Sequence, residues 1–272
     1  VTIALIDGDI LAYFAAYNAV MKHIDTSKPI ELGEDGNAKP LEIEEEKNAE
    51  CLFDALVIFK KNLKDLLEEL YVNEYLMAVK GTDNFRDLLY PDYKTPRHKV
   101  AKKTVVSDFV RELRRLITYE GLSIQAHGRE ADDFIRIWRN QCVQANKDYI
   151  VCSVDKDLKC IPGKYYHLKT KKIEEISELE ALKFFYAQLL QGDPTDNIPG
   201  LPGIGPKTAD KMLLDIKDEE EMQEIVVSMY MENFEEAWYN FLMANGKLLH
   251  IQSHPNDYFT IRHWDVVKEI LG

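Results

Sequence analysis

The sequence predicts an α/β protein: three layers around a central, mostly parallel sheet, with a helical module packed beside it. Three observations point there. Short apolar runs alternate along the chain with longer helical patterns. Several of the short runs end in paired acids, and open α/β sheets gather their ligands at the carboxyl ends of strands. Beyond them, Gly192 to Met212 joins two helical patterns through a turn rich in Pro and Gly.

Thr2 to Ile6 is a short apolar run ending at Asp7-Gly-Asp9, the pattern of a buried parallel strand. Ile10 to Met21 continues as a helix. Asp25 to Pro40 carries two prolines and two glycines with charges and no period, so it reads as a loop. Glu42 to Leu70 is a long helical pattern whose stripe is Leu52, Leu56, Phe59, Leu63, Leu66, Leu67 and Leu70. Tyr75 to Val79 is a second strand, Ser107 to Tyr119 an amphipathic helix, and Leu122 to Ala126 a strand. Gly128-Arg-Glu-Ala-Asp-Asp133 opens a helix that runs to about Ala145. Tyr149 to Val154 is a buried strand ending in Asp155-Lys-Asp157, and Tyr165 to Ile176 a hairpin around Thr170-Lys-Lys172. Helices follow at Leu179 to Leu190, at Lys207 to Asp215 with Ala209, Met212 and Leu213 inward, and over Glu219 to Met243 with Trp238, Phe241 and Leu242 in the core. The tail with Trp264 and Ile270 is the least informative part.

At 272 residues, 46% hydrophobic and 30% charged, the chain suits one large soluble domain, or a domain with a small appendage. No apolar run is long enough to span a membrane. Val1 to Val20 is interrupted by Asp7 and Asp9 with no basic region ahead of it, which argues against a signal peptide. Cys51, Cys142, Cys152 and Cys160 form no C-x-x-C pair and read as buried thiols in a reducing compartment. His250 and His254 have a zinc-compatible spacing but no third ligand, so they read as surface histidines in an irregular tail. The net charge of −13 is the reverse of a nucleic-acid binder's. Two sources account for it: acids gathered to hold cations, and a solvated acidic face such as Glu31 to Glu50.

The turn at Pro199, Gly200, Pro202, Gly203 and Gly205 precedes Pro206, which suits the first position of a helix. Glycines let backbone N–H groups approach an anion, and a helix N-terminus adds positive partial charge at the same point. Gly203-Ile-Gly-Pro-Lys207 thus reads as a phosphate cradle, with Lys207 as a point charge and Thr208 beside it. A plain Gly-rich turn explains the glycines, but not why proline and lysine fall with them.

Paired acids recur at Asp7 and Asp9, at Glu130, Asp132 and Asp133, at Asp155 and Asp157, and at Asp193 and Asp196. Buried carboxylates are costly without compensation. Oxygen ligands without Cys or His select hard cations, Mg²⁺ or Mn²⁺. Two such ions about 4 Å apart need roughly this many carboxylates. Each pair alone is weak: Asp155-x-Asp157 fits a turn, Glu130 to Asp133 fits a helix dipole, and Asp7-x-Asp9 also occurs in haloacid-dehalogenase-type phosphatases. Their conjunction with the Pro-Gly turn is specific.

Leu5-Ile-Asp7-Gly-Asp9, Tyr93-Lys94-x-x-Arg97, Glu130-Ala-Asp132-Asp133, Ser153-Val-Asp155-Lys-Asp157 and Gly192-Asp193-x-x-Asp196-Asn-Ile stand in that order. Together they cover most of the chain. They resemble the motifs of the flap endonuclease and 5′→3′ exonuclease family, in its phage and bacterial branch. The 192–212 stretch resembles that family's helix-three-turn-helix. The resemblance implies a PIN-like core over 1–177 with a helical arch or clamp at about 80–121, and a DNA-binding module over 178–272. It implies two Mg²⁺ or Mn²⁺ ions: Asp7, Glu130, Asp132 and Asp155 on one, Asp157, Asp193 and Asp196 on the other, and Asp133 near both. Asp9 is not a firm family ligand and reads as structural. A K⁺ held by carbonyls of the Gly203–Gly205 turn is a further implication. The implied substrate is DNA with a 5′ end or a flap, RNA-primed DNA included, and the implied state a monomer in the cytoplasm of a bacterium or phage-infected host. One departure stands out. The family places an Asp near the end of the second strand, a few residues before a Phe-Arg pair; Phe85-Arg86 is present here, but Val79 and Gly81 stand where that Asp falls, so either Asp83 substitutes or that acid is missing.

The basic residues between the second strand and the next helix are Tyr93's neighbour Lys94, then Arg97, Lys99, Lys102 and Lys103. A solvated loop is the plain reading. The functional one puts Lys94 and Arg97 on the reacting phosphate and Lys99, Lys102 and Lys103 along the arch, with Tyr93 stacking on a base. Two other classes fit part of the pattern. A PIN-like ribonuclease shares the acids but has no use for the Pro-Gly-x-Gly-Pro-Lys turn. A catalytically weak DNA-binding protein would keep the turn and tolerate loss of acids, which are nearly all present.

Overall fold

A computed structural model of the chain describes residues 1–24, 43, 45–95 and 104–261. Its centre is a six-stranded sheet: β1 (Ile3–Asp7), β2 (Glu74–Val79), β3 (Ile124–Gln125), β4 (Tyr149–Ser153), β5 (Gly163–His167) and β6 (Lys172–Ile176), in the order β3-β2-β1-β4-β5-β6. All neighbours run parallel except β5 and β6, which form an antiparallel hairpin. Successive strands move outward from β1 in one direction to β3 and in the other from β4. The order therefore reverses between β1 and β4, where open sheets leave a crevice.

Every residue of β1 is buried, so the strand is covered on both faces. Alternation then divides it. Ala4 and Ile6 join a core with α1 (Gly8–His23), α2 (Asn48–Glu69) and α4 (Val105–Tyr119). Ile3 and Leu5 face the other way, toward Ile135 and Cys142 of α5 (Ala131–Gln144) and Ala181 of α6 (Glu178–Gln191). Three layers result. A third core, built on α6, α7 (Pro206–Leu213), α8 (Glu219–Phe234) and α9 (Trp238–Leu249), forms a helical body beside the sheet. All four cysteines are buried free thiols. No helix among the described residues is long and apolar enough to cross a membrane.

The expected elements recur with four differences. The third strand shrinks to two residues, because Leu122 N–H already bonds Ile117 O in the turn closing α4. The long second helix starts at Asn48, after a 3₁₀ turn at Glu45–Lys47. The expected helix over 219–243 is two helices; Glu235, at φ +46°, interrupts it. A short helix α3 (Phe85–Leu89) was not expected; Asn84 caps it by accepting the Arg86 N–H. The acidic loop at 25–40 and the tail with Trp264 and Ile270 lie outside the described residues.

Candidate active site

Local rules set the acids in place. At the end of β1, Asp7 turns the chain into α1 and accepts the Asp9 N–H at 3.2 Å. Its other oxygen takes the Ser153 hydroxyl at 2.8 Å, and that hydroxyl in turn accepts the Asp155 N–H at 3.0 Å. Ser153 thus ties the ends of β1 and β4 across the switch point. Asp155 accepts the Asp157 N–H at 2.9 Å, and Gln188 of α6 donates to Asp157 at 2.8 Å. Glu130 caps α5, which lifts Asp132 into its first turn. The hairpin strands β7 (Gly192–Asp193) and β8 (Ile198–Pro199) bring Asp193 and Asp196 to the same place. Gly192, at φ +72°, and Gly200 make this possible. A Cβ on Gly192 would lie 2.3 Å from Gly200 N.

These side chains wall one cavity of about 340 Å³, lined among others by Asp7, Asp9, Lys94, Glu130, Asp132, Asp155, Asp157, Asp193 and Asp196. Its charges are only partly compensated. Burial, then the neighbouring Asp9, pushes the Asp7 carboxyl up to about 7. Burial and the charges of Asp7 and Asp155 raise Asp132 well above the carboxylate range. Asp157 is pushed up to about 6 by burial and then by Asp155 and Asp193. Burial works against Glu130 as well, but Lys94 and Arg86 outweigh it and hold that carboxyl low. Lys94 sits among the acids, hydrogen-bonded to Glu130 and 3.5 Å from Asp196. Its φ of +56° and its N–H bond to Asp196 O, 2.9 Å, lock this loop to the hairpin.

The donor set is all oxygen, and three of its acids hold a proton to higher pH than an ordinary carboxylate when nothing else balances them. That fits hard divalent cations. Among the described residues no three acids surround one point as a finished ion site; they face the cavity from separate walls, with Lys94 between them.

Two expectations are corrected. Asp133 does not face the cavity: it is fully buried, and both oxygens are engaged by Arg86 at 2.8 and 2.9 Å. Tyr93 is 4% exposed, its hydroxyl 3.2 Å from Glu130 and 3.4 Å from Asp196, so its ring has no open face for a base. Other positions are filled in. Asp83 is at the cavity rim and spends its oxygens on the Gly128 N–H at 2.7 Å and on His127 at 3.2 Å. Asp9, on the cavity wall, accepts the Lys80 N–H at 3.0 Å and pairs with Arg114 at 2.7 Å. His254 is exposed, and His250 is half-buried, paired with Asp257 at 3.0 Å. Gly203, at φ +76°, and Gly205 have nothing within 4 Å of an added Cβ, and Lys207 and Thr208 are exposed at the start of α7. Arg97, Lys99, Lys102 and Lys103 lie outside the described residues.

The roles of three contributors were not foreseen. Ser153 and Gln188 orient acids, and Arg86 is buried beneath them at 2% exposure. Ser153 stands in the Ser153-Val-Asp155-Lys-Asp157 motif and Arg86 follows Phe85 after the second strand, but neither pattern announces these contacts; Gln188 is a polar residue on the stretch Tyr186 to Leu190 of α6.

Sheet and cavity define the class: an α/β domain with an acid-walled cleft at the carboxyl ends of its central strands. Residues 2–184 match the family model of the 5′-3′ exonuclease N-terminal resolvase-like domain, and the chain belongs to that family. It is 33% identical over 144 residues to DNA polymerase I of Rhizobium leguminosarum, 49% of this chain and 14% of that one. It is 27% identical over 161 residues to the 5′-3′ exonuclease of Buchnera aphidicola subsp. Schizaphis graminum, 55% of each. The match thus spans less than two thirds of either relative. Among solved structures, the bacteriophage T5 D15 flap endonuclease, in a pseudo-enzyme-product complex with DNA and metal ions, superposes with a TM-score of 0.64. That comparison covers 99% of this chain and 96% of that one at 16% identity, a likeness of fold.

Proposed function

We propose that the chain is a metal-dependent 5′ nuclease that hydrolyses DNA phosphodiesters with water as nucleophile, as a 5′→3′ exonuclease, a flap endonuclease or both. The observation that carries this is the acid-walled cavity: four separate segments bring carboxylates into it, and burial and mutual repulsion leave them short of positive charge. Family membership and the T5 enzyme's complex with DNA and metal ions support the same reading.

Asp7, Glu130, Asp132 and Asp155 would hold one Mg²⁺ or Mn²⁺, and Asp157, Asp193 and Asp196 a second. Such ions, when bound, make water a stronger nucleophile at neutral pH and neutralise charge on the phosphate and leaving oxygen. The chain's own residues do the rest. Ser153 and Gln188 fix the carboxylates that they touch. Lys94, held by Glu130 and Asp196, can turn its ammonium to an entering phosphate and stabilise the charge that develops there. Arg97 would grip the same phosphate with two hydrogen bonds. The Gly203–Lys207 turn, with Thr208, would hold the duplex backbone, and a K⁺ at its carbonyls is part of this proposal. Lys99, Lys102 and Lys103 would line the path of the 5′ strand in the 80–121 region. On this reading residues 1–177 form the nuclease core, residues 178–272 hold DNA and lend Asp193 and Asp196 to the second ion, and a monomer suffices. RNA-primed ends are included among the substrates.

A gel assay with labelled linear duplex, flap and RNA-primed substrates tests this. Cleavage from the 5′ side is expected in Mg²⁺ and none in chelator. Cleavage that persists in chelator, or of single-stranded RNA alone, would overturn it.

A further inference from the structure

The pair Arg86–Asp133 is more extensively bonded than a simple buried ion pair needs. The two are 2% and 0% exposed. Arg86 donates Nη1 to Asp133 Oδ2 at 2.8 Å and Nη2 to Asp133 Oδ1 at 2.9 Å. Asp133 Oδ1 also accepts the Gln252 N–H at 2.8 Å, and Oδ2 the Glu130 N–H at 2.9 Å. A carboxylate has about four acceptor sites, and all are used. Nothing is left to bind an ion.

Arg86 reaches further. Its Nε donates to Leu248 O at 2.9 Å and its Nη2 to His250 O at 2.6 Å. Its Nη1 also lies 3.8 Å from Glu130 Oε2. From α3, one guanidinium therefore touches both the acid-bearing start of α5 and the segment that leaves α9. That segment, Leu248 to Gln252, falls beyond residues 2–184 that match the family model. Leu248, Leu249 and Ile251 also wall the cavity.

We propose that Arg86 and Asp133 are positioning residues that couple the segment Leu248–Gln252 to the carboxylates at the start of α5. Neither is a metal ligand. Asp133 fixes the Glu130 main chain, Arg86 steadies the Glu130 carboxylate, and both are held by main-chain groups at 248–252. Displacing that segment would move Glu130 and Asp132 together. This rests on the reading that the cavity acids hold divalent cations.

The test uses the full chain with Mn²⁺. In the wild-type protein, Mn²⁺ should slow hydrogen exchange of peptides covering 250–253 by about tenfold, although those residues carry no acid that would hold the ion. Arg86→Lys keeps the charge but loses the fork, and Asp133→Asn keeps the shape. Each should weaken Mn²⁺ binding by roughly 10–100-fold at unchanged stoichiometry, the scale for groups that orient ligands. The double variant should be no worse than either single one, because both remove one interaction. Turnover should fall with little change in KM for DNA. Loss of one Mn²⁺ per chain in Asp133→Asn but not in Arg86→Lys would make Asp133 a ligand and overturn the proposal. Mn²⁺ uptake by wild-type protein with unchanged exchange at 250–253 would also overturn it, whether or not the variants fold. No Mn²⁺ uptake by the wild-type protein would remove the underlying reading as well.

Discussion

Lys94 carries the sharpest claim about a single side chain. It is the only ammonium in direct contact with the cavity acids among the described residues, paired with Glu130 and near Asp196. Lys94→Ala should lower turnover by about 10² or more, the scale of one lost transition-state charge contact. A change in substrate affinity alone would make it a clamp. The acids give a pH prediction. Asp7 rises from 3.8 to about 7 on folding, so between those values the folded state binds more protons than the unfolded state. Stability of the metal-free protein should therefore fall as pH rises from about 4 to 7, by on the order of 4 kcal/mol from Asp7. Asp157, raised to about 6, acts in the same direction. Glu130 has the opposite sign: its pKa is lowered, so its stabilisation is lost only as pH falls below about 4.5. Thermal melts from pH 5 to 7.5 should show the decline, and Mn²⁺ should abolish it. A flat metal-free profile would contradict the uncompensated cluster. At this scale the acids were legible, because each ends a strand or opens a helix. The fates of Asp133 and Tyr93 were not. They turn on Arg86 and on long-range bonds of 47 and 103 residues' separation, which no local pattern reports.

On the proposed function, the hairpin and α7 are the element that would hold DNA. Gly205 has φ −105°, ordinary for any residue, and open space where a Cβ would stand. Gly205→Val should therefore fold normally and bind Mn²⁺ as the wild type does. It should nevertheless weaken duplex binding, since a branched side chain would block approach of the backbone. Lys207→Ala should reduce the slope of log affinity against log salt by about one phosphate contact. Binding measured in Ca²⁺ at several salt concentrations checks both, and unchanged affinity and salt dependence in Gly205→Val would make the turn purely structural. Helix and strand patterns located nearly every element, because parallel strands buried on two faces read as unbroken apolar runs. The misses have local causes. α3 is five residues long, too short for a period to show. The break between α8 and α9 falls at Glu235, whose positive φ its sequence does not announce.

For the molecule as a whole, the −13 charge and an anionic substrate are reconciled by where the acids sit. A large part of the excess faces one cavity, where cations would convert it from a barrier into a grip. The three-layer order was legible in outline, and so was the meeting of acids from both ends of the chain. The strand order was not, since nothing local tells β4 to pair with β1 across the switch point. The central claim is that the carboxylates act together as a divalent-cation centre for cleavage. Asp132→Asn with Asp155→Asn tests it most directly: flap and duplex binding in Ca²⁺, then cleavage in Mg²⁺, with one preparation of the double variant. The account predicts duplex binding close to wild type and no detectable cleavage. Cleavage at the wild-type rate would contradict it.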